Sequence, residues 1–228
     1  VVKDEYWALD LQSRGIGGRL DIGLTVLDPE GKPVAESDDL PGTTDAGLEF
    51  RAGANGIYTC LVRSMASRFA TLDEVYRLEI RPAKPDFSLI MPQQINLPSG
   101  GKGEVAMVVT RSGGFDGEIA LLAEGLPPGV TMSGDWKVPP GKNDAKVILE
   151  AAPNAAVVAA PIRIRGSGKI GESMKTSLAL AVAAGNLSPR SPSDQKIDVA
   201  LLAMTMPPPF EVKLIDKTRQ REVHRGST

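Results

Sequence analysis

The chain has one cysteine and one histidine in 228 residues. The single Cys60 excludes a disulfide within the chain. A lone cysteine in a β-rich sequence reads as a small buried hydrophobe before it reads as a reactive thiol. It says little about compartment, since exported proteins need not carry disulfides. The single His224 stands near the C-terminal end, which argues against a histidine-based triad or a histidine-rich zinc site. Aromatic residues are 4 % of the chain. Cores must therefore be aliphatic, and a stacked-ring platform for sugars is short of material. No apolar run approaches the ~18 residues that span a bilayer. A net charge of −2 leaves no electrostatic footprint for nucleic acid or an anionic membrane.

What is plentiful is turn-forming residue. Glycine contributes 24 and proline 18, well above the roughly 12 % that the two make up in average chains. Apolar residues reach 42 %, enough for real cores. The length fits one or two domains. The opening Val1-Val-Lys-Asp-Glu-Tyr-Trp is neither a signal peptide nor a start methionine. The expectation is an excised piece of a longer protein, any export signal lying upstream.

Alternation with period two sets the strands. Trp7, Leu9 and Leu11 share one side of Tyr6–Leu11. Leu20, Ile22, Leu24 and Val26 alternate with Asp21, Gly23, Thr25 and Leu27. Shorter runs follow at Pro33–Glu36, from Leu48 and Phe50, at Ile57–Val62 and at Asp73–Ile80. Arg81–Asp86 is a stiff two-proline linker. Beyond it strands are expected at Phe87–Met91, Glu104–Thr110, Glu118–Leu122, Val130–Met132, Lys142–Ala152, Pro161–Arg165, Met174–Val182 and Ile197–Thr205. In the last of these, Ile197, Val199 and Leu201 form the inward set. Arg111–Val130 reads turn, strand, turn, with Gly113, Gly114 and Gly117 supplying positive φ. Gly125-Leu-Pro-Pro-Gly129 stops the strand, because proline cannot donate to a ladder. Ala184–Gln195 is the long polar loop. The fold class is all-β, as two tandem β-sandwiches over residues 1–82 and 83–206. Pro85-Asp-Phe-Ser-Leu-Ile recurs loosely as Pro209-Phe-Glu-Val-Lys-Leu. The expectation is that 207–228 starts a further, truncated repeat.

Two resemblances rest on these residues. Trp-x-Leu-x-Leu, Leu-Thr-Val-Leu-Asp-Pro-Glu-Gly-Lys, Glu-Ser-Asp-Asp, Asp45 before Leu-Glu-Phe, Asn-Gly-Ile-Tyr-Thr and Tyr-Arg-Leu-Glu-Ile occur in that order. Over about residues 4–82 this is similar to the bacterial pre-peptidase C-terminal domain, with its N-terminal strand cut short. The resemblance implies a jelly-roll-like sandwich appended to secreted bacterial proteins as a targeting, folding or matrix-binding accessory. Arg-x-Gly-Gly-Phe-x-Gly-x-Ile and Gly-Leu-Pro-Pro-Gly-Val, within 83–206, resemble the immunoglobulin-like repeats of large exported bacterial proteins. Gly56-Ile-Tyr-Thr-Cys60 mimics the immunoglobulin Gly-x-Tyr-x-Cys segment, and with no second cysteine it implies only a tyrosine corner at Tyr58.

Candidate sites are few. Glu36, Asp38, Asp39 and Asp45 crowd one loop. Clustered carboxylates suit calcium, which takes six to eight oxygens. The EF-hand spacing is missing, so a solvated acidic turn stands beside calcium at Asp38, Asp39 and Asp45. Gly100-Gly-Lys102-Gly lacks the spacer and hydroxyl of a phosphate loop and reads as a hairpin turn. Trp136 is a packed loop anchor or a sugar-stacking ring. The basic tail, Lys213 to Arg225, reads as a solvated face. No carboxylate pair stands in an apolar setting that would raise one pKa. The leading expectation is a non-catalytic accessory module, whether spacer, adhesion or targeting element, of a large secreted or surface bacterial protein. The alternative is a calcium-dependent module for an extracellular glycan or matrix protein. A hydrolase is the third class.

Overall fold

The computed structural model describes residues 1–40, 43–65, 75–183 and 197–207. Among them the regular structure is strand throughout, apart from one short 3-10 turn at Arg14–Ile16. The chain is all-β.

The first module is built from two three-stranded antiparallel sheets. One contains β1 (Tyr6–Gln12), β4 (Ala46–Arg51) and β6 (Arg77–Pro82), with β1 in the centre. The other contains β2 (Ile22–Leu27), β3 (Pro33–Ser37) and β5 (Thr59–Ser64), with β2 in the centre. Leu9 and Leu11 from β1 meet Ile22, Leu24 and Val26 from β2, closed by Ala46 and Phe50. Each fully buried side chain of this kind contributes roughly 1.5–3 kcal/mol relative to exposure. Trp7 packs on the edge of this core and is only half-buried. Ile57, expected to open a strand, is 83 % exposed, and β5 begins two residues later. Gly56 bends the backbone there, with φ +150°.

The second module is one ten-stranded sheet, eight of whose strands form a continuous path. Its order is β11 (Val130–Ser133), β13 (Asp144–Ala151), β9 (Lys102–Ser112), β7 (Asp86–Pro92), β15 (Ser173–Val182), β14 (Ala159–Ile170), β10 (Ile119–Glu124) and β12 (Lys137–Val138). β16 (Ala200–Thr205) pairs with the start of β14 and with β8 (Gln94–Pro98). The inward faces of β7, β9 and β13 share one cluster with those of β10, β14, β16 and β8. The path thus folds over on itself as a sandwich. The long β14–β15 hairpin passes from one layer to the other.

Three sequence expectations shift here. β8 was not anticipated. Its five residues run straight on from β7 after Gln93, where the chain changes layers: Gln93 donates to the Val182 carbonyl, and its own carbonyl accepts from Leu201. The Lys102 turn does not close a hairpin, because β8 pairs with β16 while β9 pairs with β13 and β7. In β16 the inward residues are Ala200, Leu202 and Met204, with Leu201 exposed. That is one residue out of phase with the expected set. The run Val199–Met204 is apolar in both phases, so alternation alone could not choose. The expected Ala184–Gln195 loop lies outside the described residues, as does the expected repeat beyond Pro207.

Candidate functional site

The acidic loop is the place to begin. Asp45 closes it at the start of β4 and is 7 % exposed. Its carboxylate is taken up by backbone amides of the turn after β1. Oδ1 accepts the backbone N–H groups of Ser13 and Arg14, each at 2.7 Å, and Oδ2 accepts that of Gly15 at 2.9 Å. These successive amides line the 3-10 turn at Arg14–Ile16 and form a concave donor set for an anion. Burial alone raises the pKa of such a carboxyl. The three backbone amides, with Thr43, more than offset it, and Asp45 titrates below its ordinary value.

Ser13, wholly buried, completes the node. Its Oγ donates to the Val75 carbonyl at 2.9 Å and accepts from the Leu20 N–H at 3.2 Å. One serine and one aspartate thereby tie β1, the start of β2, β4 and the approach to β6 together. Asp38 and Asp39 stay exposed, and Asp38 Oδ1 accepts the N–H of Asp39 at 2.9 Å. Glu36 faces Thr25 on the neighbouring strand at 3.5 Å. Among the described residues, no three of His, Cys, Asp and Glu converge as a cation would need. Asp38, Asp39 and Asp45 are therefore neighbours in sequence that the structure does not bring to one point.

The other candidates resolve in the same direction. Tyr58 is a tyrosine corner: its hydroxyl donates to the Ala54 carbonyl and accepts from the Ala54 N–H, both at 3.2 Å. Its ring lies 5.2 Å from that of Phe50. Cys60 is half-buried beside the same core, and burial pushes its thiol pKa up, the reverse of a reactive cysteine. Trp136 packs against the second core. Lys102 pairs with Glu150, which also accepts from the Ser133 hydroxyl at 2.6 Å. These two partners lower the Glu150 pKa, and the trio lies across β9, β13 and β11 on an outer face. His224 and the basic tail lie outside the described residues.

Arg111 was not singled out from the sequence. Its guanidinium donates to the carbonyls of Lys142, Gly117 and Pro139 at 3.0, 2.6 and 3.0 Å. It also lies 5.2 Å from the centre of the Phe115 ring. Burial lowers its pKa, opposed by the nearby Asp116. A planar fork suits three carbonyls in different directions. The only sequence signal was an arginine beside a glycine pair. Ser13 gave still less, a serine ahead of a glycine-rich turn.

No protein-family model matches the chain, and no curated protein matches it.

Proposed function

We propose that the chain is a non-catalytic accessory module, acting as spacer, adhesion or targeting element of a large exported bacterial protein. One observation carries this reading. The polar groups with displaced titration or several hydrogen bonds close on the chain itself: Asp45 on three backbone amides, Arg111 on three carbonyls, Glu150 on Lys102 and Ser133. Groups engaged this way hold architecture and have little capacity left for a substrate. The turn order shared with pre-peptidase C-terminal domains and bacterial immunoglobulin-like repeats supports an extracellular, periplasmic or cell-surface setting. Any glycan or protein partner would meet the loops or the outer sheet faces.

Calcium-dependent binding is the second reading. It keeps Asp38 and Asp39 as available carboxylates but must do without Asp45. The test is to offer the purified chain ester, peptide and glycoside substrates, and in parallel insoluble polysaccharides and immobilised matrix protein. The accessory reading expects no turnover of any substrate. Turnover that follows the folded protein through purification would overturn it, and retention only with calcium would favour the second reading.

A further inference from the structure

We propose that the Gly113–Gly114 turn is a latch that holds the two sandwiches as one rigid unit. β6 ends at Pro82 and β7 begins at Asp86, so only three residues join the modules. Ala83 extends the β1–β6 ladder by donating to the Tyr6 carbonyl at 2.8 Å. Such a linker is short but can still hinge at its single bonds, unless something outside it fixes the angle.

The turn supplies that contact. Gly113 N–H donates to Glu49 Oε2 at 3.0 Å across the modules. A Cβ on Gly113 would lie 2.1 Å from the Lys84 carbonyl oxygen, so the linker lies directly on this glycine. A Cβ on Gly114 would lie 2.6 Å from the Tyr6 ring, so the ring rests on its bare backbone. Both glycines have positive φ, +57° and +78°, which other residues adopt only with strain. Both ends of the turn are anchored in the second module, by the Arg111 clasp on one side and the buried Phe115 on the other. On the first module, Tyr6 and Glu49 belong to the paired strands β1 and β4. Two stiff surfaces therefore meet at one point beside a three-residue linker, which leaves a single preferred angle.

This inference is independent of the accessory reading, because it concerns geometry alone. It is tested by pulsed electron–electron dipolar spectroscopy on the whole chain. Nitroxides are placed at Lys32→Cys and Glu172→Cys, both exposed, in a Cys60→Ala background. The latch predicts one narrow distance distribution. Tyr6→Ala with Glu49→Ala removes the contact from the first module. Gly114→Asn, a residue that tolerates positive φ, drives a side chain into the Tyr6 ring from the second. Each variant is checked for retained strand content by circular dichroism. A folded variant of either kind should broaden the distribution severalfold. A parent that is already broad, or variants that all stay as narrow as the parent, would overturn the latch.

Discussion

Asp45 shows how one side chain can look like a ligand and act as a cap. The residue sits in an acid-rich loop, yet its oxygens face three amides, that of Ser13 buried and those of Arg14 and Gly15 part-buried, which would otherwise lack a protein partner. Asp45→Ala leaves those donors unsatisfied and should cost about 2–3 kcal/mol of stability, read by chemical denaturation. The pH dependence has a definite sign. The folded pKa is lowered, so the contribution is complete above the ordinary aspartate value of about 3.9. It is lost as pH falls through the lower, folded value. Acid titration of wild type and Asp45→Ala should therefore show their stabilities converging below pH ~4. Parallel curves down to the lowest pH would remove the cap.

At the scale of elements, β14 explains a pair of glycines that turn chemistry does not. Ile162 and Ile164 point inward, and Gly166 and Gly168 continue the same inward phase. A Cβ on Gly166 would lie 2.4 Å from Leu89 Cδ1, and one on Gly168 would lie 3.0 Å from the rings of both Phe87 and Phe115. The glycines make room for the two stacked phenylalanines, whose centres are 5.2 Å apart. Gly166→Ala should destabilise by about 1–3 kcal/mol through overpacking. Leu89→Val removes the clashing methyl, so the double variant should lose less than the sum of the singles. Strict additivity in the denaturation midpoints would show that the two sites do not touch.

The same scale shows what could be read in advance. The inward residues of β1 and β2 were legible because Asp10 in β1 and Gly23 and Thr25 in β2 interrupt the apolar run on the other side. The phase of β16 was not, because both of its faces are apolar. β8 was hidden because Gln94–Pro98 pairs only with a strand far ahead in sequence. The roles of Ser13, Asp45 and Arg111 were illegible for a related reason. Each depends on backbone groups that come close only after distant strands have paired, and those groups have no residue type of their own.

For the whole molecule, two aliphatic cores lie either side of a three-residue linker. Each core is closed by polar groups that serve the chain itself. Hydrogen exchange should accordingly find its slowest amides in two sets, one in β1 and β2 and one in β7, β9 and β13. Exchange of either set at the rate of the turns would mean that the corresponding core does not hold.

The central claim is that Asp45 is architecture, its carboxylate taken up by three backbone amides rather than offered with Asp38 and Asp39 to a cation. Thermal unfolding of the whole chain in millimolar calcium and in chelator tests it most directly. A site occupied at 100 times its dissociation constant adds about 2.7 kcal/mol by mass action, which a melting curve resolves. The account predicts superimposable curves for wild type and for Asp38→Asn with Asp39→Asn. A calcium-dependent rise in Tm for wild type that disappears in the double variant would contradict it.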